Sequence, residues 1–544
     1  MEFNLADLFE AAADAFPERE YLVAEGKRRT YAQMEQRANR LAHHLASRGV
    51  GPGDHVGIYA YNCVEWVEAL WAVFKLRAVW ININYRYVAD ELEYLFDNAD
   101  LKALVYQLEL APRVLAVRHR LPGLAHSLVV EGPGPAGAEA REAAGRLGSA
   151  DYEAALAASP PERDFGPRSP DDLYILYTGG TTGMPKGVVW RQEDVFFALG
   201  GGIDHVSGER VSRPEQMVEK ARAAGSPVTA LPIAPLMHGA TQWAVMGQSF
   251  VGNKIVLMAR FDPHRVWRLV EQERVNVVMI TGDAMARPLI EALDQPGASY
   301  DLSSLVALSS TAAVFSPSVK DQFFARFPNL VVTDAIGSSE TGSNGIAMAA
   351  PGQSMRGGPT VRPGADVVVL GEDGRPVRPG SGQVGRLART GNVPLGYYKD
   401  EAKTKETFFE LDGRRYAMPG DYATVEADGT ITLLGRGSVS INSGGEKIFP
   451  EEVEAAVKSH PDVYDAVVVG VPDERWGQRV AAVVQPRPGR RPELEAIQAH
   501  CRARIAGYKV PRELHLVDQV VRSPSGKPDY RWAYLQATGR PSPI

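Results

Sequence analysis

The sequence predicts an α/β protein, with a large, multi-subdomain N-terminal domain of mixed sheets over residues 1–436 and a small α+β domain over 437–544. Short β-like runs, Val56–Ala60, Lys254–Met258 and Val275–Ile280, alternate with helical stretches such as 262–274. Past residue 437 the texture changes to a compact helix–strand–strand–helix unit. At roughly 100–200 residues per domain, 544 residues that are 44% hydrophobic can bury several cores.

The first twenty residues, MEFNLADLFEAAADAFPERE, place acids where a signal peptide needs a basic start and an apolar run, and no stretch reaches 18 uninterrupted apolar residues. Segment 131–170, rich in Ala, Gly, Pro and Arg, reads as a surface connection into a buried strand at Leu173–Tyr177. In the second unit a helix over 450–459 opens with Pro450-Glu451-Glu452, strands follow near 464–471 and 479–485, and a helix spans 492–506. Leu494, Ile497, Cys501 and Ile505 lie on one face of that helix. Gly and Ser in the Gly435–Gly445 segment suit a mobile linker.

With 59 Lys+Arg against 66 Asp+Glu the net charge is −7, so there is no electrostatic footprint for nucleic acid or an anionic membrane surface. Cys63 and Cys501 cannot make a disulfide framework or a thiolate metal cluster, which points to a reducing, cytoplasmic compartment.

The chemistry is carried by Tyr177-Thr-Gly-Gly-Thr-Thr-Gly-Met-Pro-Lys-Gly-Val188, directly after the predicted strand. Gly179, Gly180 and Gly183 let backbone N–H groups converge on an anion, Thr178, Thr181 and Thr182 add hydroxyl donors, and Lys186 adds a point charge for phosphate. It is not a Walker A loop, because Pro185 precedes and Gly187 follows the lysine.

Further strings follow in order: Pro235-Leu-Met-His238, Ile336-Gly-Ser-Ser-Glu340, Gly396-Tyr-Tyr398 with Thr404, Gly420-Asp421, Gly435-Arg436, Ser443-Gly-Gly-Glu-Lys447 and Pro524-Ser-Gly-Lys527. With the phosphate loop they make the chain resemble the adenylate-forming superfamily over nearly its whole length. Ile441–Val453 and Arg522–Trp532 resemble most the actinobacterial ligases for steroid side chains and long-chain acids.

The resemblance implies an ATP-dependent acid:CoA ligase that forms an acyl-AMP and transfers the acyl group to CoA. An amine or a carrier-protein thiol is the alternative acceptor. It places catalytic roles on Lys527, Glu340, Thr182 and His238, with Glu340 holding Mg²⁺; a satisfied core histidine is the alternative for His238. Asp421 and Arg436 fall to the ribose and phosphates; a plain structural ion pair is the alternative for Arg436. Thr311, Ala312, Ala313, Asp334, Ala335, Ile336, Gly337, Ser338 and Ser339 flank the nucleotide, with Asp334 as an acceptor for the adenine amino group. Ser443, Gly444, Gly445 and Lys447 line the thiol arm after the small domain rotates. The expected partners are ATP, a carboxylic acid, CoA and a second copy of the chain in a homodimer, with neither nucleic acid nor integral membrane. Ile336 replaces an aromatic, Ser339 a threonine, Met418-Pro419 a basic-Thr pair, and Ser438 a charged hinge residue.

Overall fold

The computed structural model describes residues 3–119, 121–134, 136–178, 184–204, 207–350, 360–443, 446–523 and 526–542. Two sheet systems build the large domain. One has eight strands, with a parallel core of Val79–Asn82, His55–Tyr59, Leu101–Gln107 and His126–Val130. At its other side Leu173–Thr178 runs parallel to Val79–Asn82 and turns back as Lys186–Arg191, which pairs with Gly396–Tyr397.

The second system joins fifteen strands. Its parallel half runs from Glu20–Ala24 through Lys254–Leu257, Thr229–Pro232, Val277–Ile280 and Ala307–Thr311 to Val331–Ser338. The antiparallel half continues through Gly342–Ala349 and Thr360–Pro363 to Ile431–Arg436 and Asp421–Val425. Short, apolar, fully buried strands such as His55–Tyr59 are what a parallel sheet covered on both faces requires.

Every residue of the helix Val64–Lys75 is buried, as its mostly apolar sequence requires. Its ionic groups are paired: Lys75 with Glu10 and Glu35, Glu68 with Arg29 and Arg37, and Glu65 with Lys27. The expected helix 262–274 forms as Pro263–Glu273, started by the Asp262 side chain, which accepts from the Arg265 N–H.

Segment 131–170 departs from expectation. It contains the helices Ala138–Leu147 and Tyr152–Ala157 and a short edge strand, Ala150–Asp151. Buried Ala140, Ala143 and Ala144 give the first helix an apolar stripe too small in volume to stand out as a hydrophobic pattern.

The small domain packs the hairpin Val463–Asp473 and Gly477–Pro486 with three short strands. Helices Pro450–Lys458 and Leu494–Arg502 cover one face, where Ile497 and Cys501 are buried. The helix Tyr530–Thr538, absent from the sequence reading, covers the other through Ala533 and Tyr534. Arg436 ends the last strand of the large sheet, Gly437–Val439 form a 3-10 turn, and Ile441–Ser443 already belongs to the small sheet.

Candidate active site

The expected site residues gather where strand ends of both large sheets face the small domain, as open α/β sheets place their ligands. Thr178 ends its strand and Lys186 begins the next, in register with each other. The Lys186 ammonium is paired with Asp400. Gly179, Gly180, Thr181, Thr182, Gly183, Gly444 and Gly445 lie outside the described residues.

Asn82 fixes the base of this loop by accepting from the Tyr177 N–H at 2.8 Å and donating to the carbonyls of Tyr177 and Met237 at 2.9 and 2.7 Å. One side chain thereby ties the phosphate-loop strand to the segment leading into His238.

Glu340 is 9% exposed, and the Tyr397 hydroxyl donates to its Oε1 at 2.9 Å. Tyr397 is held next to Val188 because Gly396–Tyr397 pairs with the strand that begins at Lys186. Burial, then the Glu340 charge, pushes its phenol well above the ordinary value, so it remains a donor. The Ser339 carbonyl accepts from Trp190 at 3.0 Å, and the Ser338 hydroxyl accepts from the N–H groups of Glu340 and Thr341.

Thr311 and Ala335 are register partners on adjacent parallel strands, leaving Ala312-Ala313 to turn over the sheet edge. Ala312 adopts φ +67°, an uncommon conformation outside glycine. The Asp334 carboxylate, expected to face adenine, is engaged in a buried pair with Lys320. Ile336 is packed into the core with Val361, Leu387 and Ala423, so it presents no wall to a ligand.

Asp421 and Arg436 are partners on paired strands, with Arg436 Nε 3.1 Å from Asp421 Oδ1. Lys527 arrives from the small domain. Its turn is held by the Ser523 N–H donating to the Lys527 carbonyl at 2.8 Å and the Lys527 N–H donating to Ser523 Oγ at 3.1 Å. Lys527 retains accessible surface yet is ringed by protein. Burial, then the Arg436 charge, lowers its pKa, while Glu340 and Asp421 act in the opposite direction. These four charges therefore share one cluster across the domain boundary.

His238 precedes the helix Gly239–Phe250. Burial, then the charges of Lys527 and Arg86, pushes it down to about 3. Among the described residues its Nε2 has no hydrogen-bond partner, so it is not a satisfied core histidine. A cavity of about 620 Å³ is lined by Ile233, Pro235, Met258 and Met285 together with Arg86 and Arg260, and by Gly526 from the small domain.

On the small domain, Ser443 pairs with Gly477, and Lys447 sits 3.7 Å over the ring of Tyr422. Asp400, Lys320 and Tyr422 were not legible as site neighbours, because pairs so distant in sequence leave no spacing signal. Tyr397 was visible within Gly396-Tyr-Tyr398, but its bond to Glu340 was not.

Among the described residues no helix is long and apolar enough to cross a membrane, and no group of three or more His, Cys, Asp or Glu could hold a metal.

The AMP-binding enzyme family model matches residues 9–398, and the AMP-binding enzyme C-terminal domain matches 452–527. The chain is 54% identical over 546 residues to a 3-oxocholest-4-en-26-oate–CoA ligase of Rhodococcus rhodochrous, covering 100% of this chain and 97% of that protein. It is likewise 54% identical to a medium/long-chain-fatty-acid–CoA/3-oxocholest-4-en-26-oate–CoA ligase of Mycobacterium marinum, covering 99% and 97%. The crystal structure of the anthranilate CoA ligase AuaEII in complex with anthranoyl-AMP shares the fold with a TM-score of 0.83 at 22% identity, covering 99% and 98% of the two chains. The chain belongs to the AMP-binding enzymes of the adenylate-forming superfamily, and within them to the acyl-CoA ligases.

Proposed function

We propose that this ligase activates a medium- or long-chain acid, or the carboxylate of a steroid side chain, and delivers it to CoA. Full-length similarity to ligases named for those acids supports the substrate class. The observation that carries the mechanism is Lys527, brought by the small domain into the charge cluster of Glu340, Asp421 and Arg436.

A carboxylate oxygen attacks the α-phosphorus of ATP, the bond to the β-phosphate oxygen breaks, and pyrophosphate leaves. Lys527 neutralises charge that develops on the carboxylate and α-phosphate oxygens. Asp421, an acceptor-only group, holds the ribose hydroxyls. The phosphate loop and Lys186 hold the β- and γ-phosphates, Asp400 yielding Lys186 to them. Thr311, Ala313, Ala335 and Gly337 flank adenine with backbone and small side chains.

Glu340 fits Mg²⁺: Tyr397 orients one carboxylate oxygen, and a hard cation takes one or two carboxylates together with phosphate oxygens. The ion supplies charge neutralisation at the phosphates. His238, neutral and unpartnered, offers a polar atom at the mouth of the acyl site.

The small domain then rotates about Gly437–Val439, Lys527 leaves, and the Ser443–Lys447 segment lines the thiol path. The CoA sulfur attacks the acyl carbon, loses its proton, and AMP departs with the carboxyl oxygen it had bonded. Arg86, Arg113 and Arg260 around the cavity suit the phosphates of CoA.

Acid-dependent pyrophosphate exchange across fatty, aryl and steroid acids tests the first half, with exchange expected for long-chain or steroid acids. Offering CoA, pantetheine, a carrier protein and an amine tests the second. CoA should win over pantetheine, and Arg86→Ala should raise KM for CoA alone. Preference for an amine or carrier would replace CoA as acceptor. Two buried cysteines suit a cytoplasmic enzyme. The expected homodimer is checked by light scattering, a mass near 59.1 kDa setting it aside.

A further inference from the structure

Two ionisable side chains at the contact between the domains have buried polar atoms left open. Arg287, on the large-domain helix Asp283–Leu293, is 4% exposed. Among the described residues, its Nε and Nη2 have no hydrogen-bond acceptor. Asp283 Oδ2 stands 3.7 Å from Nη2, and the ring of Tyr464, from the small domain, lies 5.9 Å from the guanidinium carbon. The same helix is the docking face for the small domain: Lys458 donates to Asp283 at 3.4 Å, and the Tyr464 hydroxyl donates to Glu291 at 3.4 Å. Arg522 and Arg487 add positive field towards Asp283 and Glu291.

The second group is Glu451, at the start of the small-domain helix Pro450–Lys458. Its Oε2 is buried and, among the described residues, unpartnered. Gly435 of the last large-domain strand is so close that a Cβ there would lie 2.1 Å from this oxygen. The carboxyl accepts the backbone N–H of Arg436 and faces Glu454 and Asp421, with the Tyr530 phenol in its field. Burial, then the Glu454 charge, pushes it up to about 8.

A buried guanidinium or carboxyl with polar atoms left without a hydrogen bond forfeits hydration that those atoms regain once exposed. We propose that Arg287 and Glu451 are positioning residues that keep the docked small domain weakly held, so that it departs readily once the acyl-adenylate has formed. This rests on the reading in which the small domain brings Lys527 in and then leaves. Departure hydrates both groups. For Glu451 the sign is fixed: below about pH 4.5 the carboxyl is protonated docked or free, and pH has no effect. From there to about 8 docking takes up a proton and weakens by up to roughly tenfold per pH unit, and above that it is flat.

The test uses the full chain, with Arg287→Met and Glu451→Gln made separately. Adenylation is read by acid-dependent pyrophosphate exchange and the second half by thioester formation from supplied acyl-AMP and CoA, both from pH 6 to 9. Each variant should keep or raise adenylation and slow the thioester half about fivefold or more. Glu451→Gln should also flatten the rise with pH that wild type shows below pH 8 in the ratio of thioester formation to adenylation. Arg287→Lys, which restores the buried charge, should behave as wild type. Equal loss of both halves, or an unchanged ratio in both variants, overturns the proposal. Lys527→Ala run alongside separates the causes: if it fails to divide the half-reactions, the rotation reading is at fault. If it divides them while Arg287→Met and Glu451→Gln do not, this inference alone falls.

Discussion

Lys527 has neighbours of both signs, and its ammonium is worth most when an α-phosphate replaces solvent beside it. Lys527→Ala should cut pyrophosphate exchange by roughly 10²–10³, the scale for one preorganised charge stabiliser, while sparing thioester formation from acyl-AMP. Tyr397→Phe removes the donor that orients Glu340, a bond to a charged group with a net value of about 1.5–3 kcal/mol. It should raise KM for ATP about tenfold with little change in Tm, and an unaltered KM would leave Tyr397 a packing residue. His238, pushed down to about 3, is neutral throughout the working range and should leave no trace in the pH–rate profile. It does mark stability: the unfolded chain binds this proton near pH 6.5 and the folded chain only near 3, so stability falls as pH drops through that window and is constant above it. His238→Gln should flatten the acid limb of the Tm–pH curve. An unchanged limb would assign it elsewhere, with His126, pushed down to about 4, next in line.

At the scale of elements, the Gly526 turn decides how closely the small domain approaches. Its φ is +73°, and a Cβ there would lie 2.9 Å from the Thr281 carbonyl and 3.2 Å from Ala284 Cβ, across the boundary. Gly526→Ala should therefore lower adenylation at least tenfold, since both strain and contact oppose docking, without lowering the Tm of the large domain. Calorimetry alongside exchange checks this. Elements defined locally were legible in the sequence: the small-domain helices show their period, and they form as Pro450–Lys458 and Leu494–Arg502. Tyr530–Thr538 and Ala138–Leu147 were missed because their buried faces are short or made of alanine. The ion pair of Asp334 was not legible for a different reason: Lys320, its partner, lies on a separate helix, and nothing in the string Asp334-Ala-Ile-Gly announces it.

For the whole molecule, the alternation of strand and helix revealed the class but not the strand order, because the crossovers that set neighbours are long-range. The outermost parallel pair of the second sheet shows what this order demands of the living cell. Leu22 pairs with Ile255 on one side and with Arg29 on the other, so the hairpin Glu20–Thr30 can form at once but its inner edge has no parallel neighbour until more than two hundred further residues have been synthesised. At typical translation rates that is a wait on the order of 10–50 s, during which one edge of the hairpin stands open on the ribosome. That open edge is a point where this ligase calls on chaperones, long before any nucleotide reaches the finished site.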